Sequence, residues 1–223
     1  KSAKGIKFDG DITVSGGTIK VTASSHEAFE TKGKLNVTGG ILYAYSTADD
    51  AINSSGDMHL SGGLVCGWST GNDGIDANGN LYVDGATVYA VCTCGSPEVA
   101  MDANTEQSKK LYIQSGSLVA IGGIESGSSI TGTAYSTSSW SKNAWHALLD
   151  ASGSPSLVFK TPSSSSIGTM VLYSDGKSLS LQSGVSTDGG TSIFGGNGLS
   201  GASVSGGSSV STSTYSGNSG GRW

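Results

Sequence analysis

The sequence is poor in arginine, in charged residues of either sign and in long apolar runs. Arg222 is its one arginine, so the side chain that most often binds phosphate is almost absent. The net charge is −5. Nucleic acid is therefore not an expected partner. No apolar run approaches the roughly 18 residues that cross a bilayer, so no transmembrane segment is predicted. Helical stretches rich in Leu, Ala, Glu and Lys are also missing, which favours an all-β fold.

Cysteine is scarce too, and the three residues Cys66, Cys92 and Cys94 are odd in number. No disulfide framework follows from them. A metal site built on Cys92 and Cys94 lacks a third and fourth ligand, so small core or turn residues are the preferred interpretation. The sequence opens KSAKGIKFDG without a signal peptide, from which we expect a mature form or an excised fragment.

What the sequence does contain is 36 glycines, many serines and threonines, and an internal repeat. The apolar pairs Gly5-Ile6, Ala28-Phe29, Ala51-Ile52 and Gly74-Ile75 each lie 23 residues apart (28−5, 51−28, 74−51). The segments that follow them are GDITVSGGTIKV, GKLNVTGGILYA, GDMHLSGGLVCG and GNLYVDGATVYA. A fifth copy begins at Ala100-Met101 and contains the insertion TEQSKK.

Apolar residues alternate within each copy, which is typical of short strands. Three strands per copy, separated by glycine turns, describe one rung of a parallel β-helix whose ends need caps. We predict about five rungs of ~23 residues within a domain of residues 1–127. Residues 128–223 are Ser- and Gly-rich, with candidate strands SLVFKT (156–161), TMVLYS (169–174) and SLSLQS (178–183). They predict a β cap or a small β-domain, ending in irregular strands or a flexible tail.

Acidic and amide residues recur where one rung closes and the next opens. Carboxylates stacked about 4.8 Å apart repel each other, so a bound cation is expected between them. Their oxygen atoms are ligands that suit calcium rather than zinc or copper. The predicted metal ligands are Asp49, Asp50, Asn53, Asn72, Asp73 and Asp76. These residues form two columns along the solenoid, one at the turn between rungs and one three positions further on. The two columns extend the set to Glu27, Glu30, Glu98 and Asp102. The alternative is a solvated acidic edge that deters association between sheet edges.

Aromatic residues form a column on another outward face. Tyr43, Tyr45, Trp68 and Tyr89 can stack on the apolar faces of sugar rings. The alternative is that the C-terminal segment covers this face and makes these residues part of a core. A second column contains Thr13, Asn36, His59, Tyr82 and Tyr112. His59 in that column is interpreted as an ordinary surface residue.

The motifs GIKFDGDITVSGG, DDAINSSGD and NDGIDANGN together resemble a family of secreted bacterial carbohydrate-binding domain-containing proteins. The resemblance covers roughly residues 3–127 and implies a right-handed parallel β-helix, similar in architecture to pectate lyases. It also implies calcium at the inter-rung turns, with the six predicted ligands above, and binding to acidic plant or cell-wall polysaccharides. His26-Glu27 and Pro97-Glu98 depart from the repeated pattern at the two ends.

These features predict a calcium-dependent, polysaccharide-binding protein that is extracellular or attached to the bacterial cell surface. Its partner is a pectin-like or other cell-wall glycan, and it is not an enzyme. The first alternative is a surface adhesin or structural protein in which calcium only stiffens the solenoid. The second is a weak polysaccharide lyase, for which the acidic edge offers only Lys7 and Lys32 nearby as a base.

Overall fold

The computed structural model describes residues 4–164 and 168–217, and its regular secondary structure is almost entirely β-strand. The N-terminal part alternates short and long strands. The short strands are β1 (Ile6–Phe8), β3 (Phe29–Thr31), β5 (Ile52–Ser54), β7 (Ile75–Ala77) and β9 (Met101–Ala103). The long strands are β2 (Ile12–Ala23), β4 (Leu35–Ser46), β6 (Met58–Ser69), β8 (Leu81–Cys92) and β10 (Leu111–Ile121).

Each strand pairs in parallel with its equivalent in the next copy of the repeat. The short strands form a sheet in the order β1-β3-β5-β7-β9, and the long strands pair in the order β2-β4-β6-β8-β10. Ile52, for example, lies opposite Ile75. This confirms the predicted all-β parallel solenoid. The five short strands and the five long strands that follow them make about four complete turns, because each turn ends where the next short strand begins. This number is slightly lower than the five predicted rungs.

A rung contains two strands instead of the predicted three, because the long strand bends at its Gly-Gly pair without ending. Gly40 has a φ of +80°, and a Cβ added there would lie 2.6 Å from the carbonyl carbon of Gly16. The pairing of β4 with β6 shifts register between Thr38 and Ile41. Glycine therefore produces a bulge that turns the strand while the hydrogen-bond ladder continues.

The solenoid core consists of the apolar columns that the repeat predicts. Ile52, Ile75 and Met101 of the short strands are fully buried. Ile6 and Phe8 in β1 are 36% and 52% exposed, because β1 belongs to the first described turn of the solenoid and no earlier described turn covers it. Within the described ranges, no helix has the length and apolar character required to span a membrane.

Residues beyond the repeat extend the solenoid sheet and build a second sheet. Their strands are β11 (Ser129–Ile130), β12 (Tyr135–Thr137), β13 (Trp145–Leu149), β14 (Pro155–Lys160), β15 (Met170–Ser174), β16 (Ser180–Ser183), β17 (Ser186–Asp188), β18 (Thr191–Ile193), β19 (Gly198–Ser200), β20 (Ser203–Ser205), β21 (Ser208–Val210) and β22 (Ser213–Thr214). Short 3-10 helices span Thr105–Gln107 and Phe194–Gly196.

The three strands predicted for this region do not share one sheet. β15 pairs antiparallel with β10 and so continues the solenoid sheet, which β12 and β22 then extend. β14 and β16 flank β13 in a six-stranded sheet of order β18-β19-β14-β13-β16-β21. Strands β17 to β22 are paired as far as Thr214. The end of the predicted tail, residues 218–223, lies outside the described residues.

The cysteines differ from expectation at one point. Cys92 and Cys94 form a disulfide, with their Cα atoms 5.5 Å apart, whereas Cys66 is free and buried. The expectation that no disulfide follows from an odd count is therefore corrected, because one pair can close locally and leave the third thiol in the core.

Candidate functional site

The acidic ladder, which we define as Asp49, Asp50, Asn53, Asn72, Asp73 and Asp76, lies where each long strand turns into the next short strand. Buried serines fix these turns. The Ser69 hydroxyl accepts hydrogen bonds from the backbone N–H groups of Gly71 and Asn72, at 3.1 and 3.0 Å, and donates to the Asp49 carbonyl at 2.7 Å. The backbone N–H of Asp73 donates to Asp50 Oδ1 at 3.2 Å, so consecutive turns are held in register.

Asp50 and Asp73 are each only 5% exposed. Burial raises the pKa of Asp50 to about 8, with the charge of Asp76 adding to the effect. Burial likewise raises the pKa of Asp73 to about 9, and Asp102 and Asp50 contribute further. Among the described residues, no lysine forms an ion pair with either carboxylate. These two side chains do not form a solvated edge.

The remaining residues of the acidic ladder contact these carboxylates or one another. Asn53 Nδ2 donates to Asp50 Oδ2 at 2.9 Å and to Asp76 Oδ2 at 2.7 Å. Asn72 Nδ2 lies 3.4 Å from Asp49 Oδ1. All six side chains offer oxygen atoms, the donor type that calcium prefers, and the buried carboxylates need positive charge. The donor set therefore fits a hard divalent cation.

The first turn of the same columns already contains positive charge. Lys4 Nζ lies 2.8 Å from Glu27 Oε2 and also contacts Glu30, which forms a second ion pair with Lys32. Glu30 occupies the register position of Asn53 and, one turn on, of Asp76. Lysine thus neutralises Glu27 and Glu30 at the turn before the ladder, whereas no lysine of the described residues forms an ion pair with Asp50 or Asp73.

The other end of the predicted set lies beside Asp73. Asp102 is 8% exposed and lies opposite Asp76 in the pairing of β7 with β9. Glu98 is half-buried, and its charge is a smaller contribution to the raised pKa of Asp73. Both residues add negative charge next to the ladder, as their places in the two columns predicted.

His26 is a neighbour that the predicted ligand set omitted. His26, Glu27 and Asp49 offer ligand atoms that all lie within 4.8 Å of one another. His26 stands 23 residues before Asp49 (49−26), so the repeat itself carried the signal. The Nδ1 atom of His26 lies 3.9 Å from Asp49 Oδ2.

The aromatic column lies under the C-terminal sheet, as the alternative interpretation of that face expects. Tyr89 is fully buried, and its hydroxyl donates to the Lys160 carbonyl at 2.8 Å. Its ring lies 5.2 Å from that of Phe159, centroid to centroid. In this structure Tyr89 is a core residue. Tyr43 and Trp68, 7% and 9% exposed, belong to the same core, and with the half-buried Tyr45 they also line a cleft of about 450 Å³ at the margin of this interface.

A second aromatic stack lies on the outward face that the C-terminal sheet does not cover. The rings of His59 and Tyr82 are 4.2 Å apart at an angle of 10°, and those of Tyr82 and Tyr112 are 4.9 Å apart at 8°. His59 Nδ1 also lies 3.2 Å from Asp84 Oδ2. His59 is therefore part of an organised stack on a half-exposed face.

Comparison with known proteins gives one match. The sequence profile of the family described as carbohydrate-binding domain-containing protein matches residues 1–139, more than half of the chain. No curated protein and no solved structure matches the sequence significantly. The match includes the whole acidic ladder and ends before β13, so the six-stranded C-terminal sheet lies outside it.

Proposed function

Because the chain belongs to the family of carbohydrate-binding domain-containing proteins, we propose that it binds an acidic polysaccharide through calcium held at the acidic ladder. The observation that carries the proposal is the pair Asp50 and Asp73, two carboxyls 5% exposed without a lysine partner in the described chain. The family match supports carbohydrate binding rather than catalysis, and the ladder supplies the chemistry for an acidic ligand.

Electrostatics explains why a cation belongs at these turns. The raised pKa values of Asp50 and Asp73 keep both carboxyls protonated at neutral pH when no cation is bound. Once ionised, two carboxylates at the inter-strand spacing of about 4.8 Å repel each other by about 3.5 kcal/mol at an effective dielectric constant near 20. At the first turn, Lys4 removes this cost for Glu27 and Glu30. At the turns of Asp50 and Asp73, bound calcium would supply the positive charge and open coordination positions for sugar carboxylates.

The chain's own residues then have separate tasks. Asp50 and Asp73 would supply most of the negative charge that holds the ion. Asp76 and the amide oxygen of Asn53 would complete the protein side of the site from the adjoining short strands, since the Asn53 side chain already lies between Asp50 and Asp76 and donates from Nδ2 to both. Asp49 and Asn72 would close it at the turns. The serine-fixed turns keep these ligands in place before binding.

A location outside the cytoplasm is part of the proposal. Disulfides persist in oxidising compartments, and Cys92 and Cys94 form one here. Cell-wall polysaccharides are also extracellular. We therefore place the protein outside the cell or on its surface.

Affinity measurements with polygalacturonate test the proposed function. The wild type should bind the polymer at least about tenfold more tightly in calcium than in chelator, since the ion bridges protein and sugar carboxylates. Asp73→Asn should lose this calcium-dependent gain, and Asp57→Asn should keep it. Calcium binding without any gain in polymer affinity would contradict the proposal and leave an ion-stiffened surface protein.

A further inference from the structure

We infer that the aromatic cleft, lined in part by Tyr43, Tyr45, Trp68, Lys160 and Asn197, is a second glycan site that binds a carboxylated sugar without calcium. Its volume of about 450 Å³ lies within the range of roughly 300–1,000 Å³ that is typical of small-molecule sites. One wall belongs to the solenoid, and the other is formed by Lys160 and residues of the segments that connect the C-terminal strands, all of which lie outside the family match.

The solenoid wall provides the apolar contact for a sugar ring. Tyr45 and Trp68 lie on neighbouring strands in register, with ring centroids 6.4 Å apart and planes at 69°. Trp68 packs in turn against the buried Tyr89, at 6.0 Å. Rigid aromatic side chains offer a large apolar area together with a polar tip, which matches a pyranose ring with its C–H face and hydroxyl groups.

Polar atoms in the cleft lack partners within the protein. Trp68 is 9% exposed, yet its indole N–H forms no hydrogen bond with the described residues. The same is true of the hydroxyl of Tyr43, which is 7% exposed. Neither atom is among the buried polar atoms that lack a partner, so water reaches both, and a ligand that accepts hydrogen bonds can take the place of that water.

Charge selects the class of sugar. Among the described residues that line the cleft, Lys160 is the one charged residue, and there is no aspartate or glutamate. Its ammonium forms no ion pair with any described acid. Its backbone is fixed, because Lys160 N donates to the Asn197 carbonyl at 2.9 Å and Lys160 O accepts from Tyr89. A lysine beside the cleft in a chain of net charge −5 favours a sugar carboxylate.

The cleft borders the acidic ladder but does not depend on it. Thr70, another lining residue, precedes Asp73 by three positions (73−70). A uronate-containing chain that reaches the ladder can therefore continue into the cleft. The groups that line the cleft are aromatic, polar or cationic, so binding there requires no bridging ion.

The test is calorimetric titration of a short oligogalacturonide into the full chain in the presence of chelator, with a neutral cello-oligosaccharide of equal length as comparator. The wild type should bind the acidic sugar and prefer it. Lys160→Gln retains the aliphatic stem and should weaken binding by about tenfold or more. Tyr45→Ala, which removes a half-exposed ring, should weaken binding of the acidic sugar similarly. Lys177→Gln, an exposed lysine away from the cleft, should have no effect.

Three results would overturn the inference: no binding of the acidic sugar by the wild type in chelator, full affinity in both cleft variants, or equal binding of the neutral sugar. Calcium titrations separate this site from the proposed function. Lys160→Gln should bind calcium as the wild type does, whereas failure of the ladder would abolish calcium binding and leave the chelator titration unchanged.

Discussion

At the residue scale, Asp73 and Asp57 show how one side-chain type serves two purposes. Each accepts a backbone hydrogen bond from the next turn, from Val99 N at 2.6 Å and from Asn80 N at 2.9 Å respectively. Asp57 is half-buried, whereas Asp73 is 5% exposed and surrounded by other acids. Replacement by asparagine keeps the acceptor oxygen in both places. Asp57→Asn is therefore the matched control for any effect of charge at Asp73.

We predict that, without calcium, stability falls as the pH rises. The pKa is raised in the folded protein to about 8 for Asp50 and about 9 for Asp73, from an ordinary value of 3.8. Between these values the folded state binds more protons than the unfolded state, so the free energy of unfolding decreases with increasing pH. The melting temperature in chelator should fall by roughly 5 °C or more from about pH 5 to about pH 9.

Thermal unfolding followed by circular dichroism checks this prediction, and the variants provide the control. Asp73→Asn should flatten the pH dependence, whereas Asp57→Asn should leave it as in the wild type. A wild-type melting temperature that rises over this interval, or equal behaviour of the two variants, would contradict the assignment of buried charge to Asp73.

Most of the acidic ladder could be predicted from the repeat, because each position recurs 23 residues later. The repeat also contained the signal for His26, which was interpreted as a departure from the pattern. The ion pairs of Lys4 could not be predicted, since this residue precedes the first copy of the repeat and reaches Glu27 and Glu30 only through the fold.

At the scale of elements, the glycine bend decides how each long strand turns. We predict that Gly40→Ala destabilises the protein by at least about 1–2 kcal/mol, since a side chain at a positive φ is strained. The added Cβ would also approach the backbone of Gly16 and Gly17 to within 2.6–2.7 Å. Urea unfolding measures the change.

Gly16→Ala is the matched control for this bend. A Cβ at Gly16 would meet no atom within 4 Å, and its φ is not in the left-handed region. It should alter stability by less than about 0.5 kcal/mol. Equal effects of the two alanines would show that the bend tolerates a side chain.

The stack of His59, Tyr82 and Tyr112 gives a second prediction at this scale. Tyr82 lies between the other two rings, so Tyr82→Ala removes two stacking contacts at once. We expect a loss of about 1–3 kcal/mol in the free energy of unfolding, at about 0.5–1.5 kcal/mol per aromatic pair. Asn36→Ala, in the same column without a stacked ring, should cost much less. A Tyr82→Ala effect as small as that of Asn36→Ala would exclude a stabilising role for the stack.

At the scale of the whole molecule, the repeat predicted the parallel solenoid because its columns bury one another locally and periodically. The C-terminal half has no period, so its three candidate strands could be recognised but not assigned to sheets. Their partners are set by tertiary packing, as when Leu172 of β15 pairs with Val119 of β10. The same packing places Lys160 and Trp68 around one cleft, which no spacing in the sequence predicts.

The contrast between the periodic solenoid and the non-periodic C-terminal part explains which parts of the candidate site could be predicted from the sequence. The acidic ladder belongs to the repeat and was predicted residue by residue. The aromatic cleft has only its solenoid wall in the repeat, so Tyr43, Tyr45 and Trp68 were found and Lys160 was missed. Tyr89 belonged to the same column, and the sheet that covers it could not be predicted from that column.

Calorimetric titration of calcium into the chelator-treated wild type and into Asp73→Asn tests most directly whether the acidic ladder is an ion site. We predict saturable binding by the wild type, at least about tenfold weaker binding by Asp73→Asn, and wild-type behaviour for Asp57→Asn. Absence of calcium binding by the wild type, or equal binding by all three proteins, would contradict this prediction.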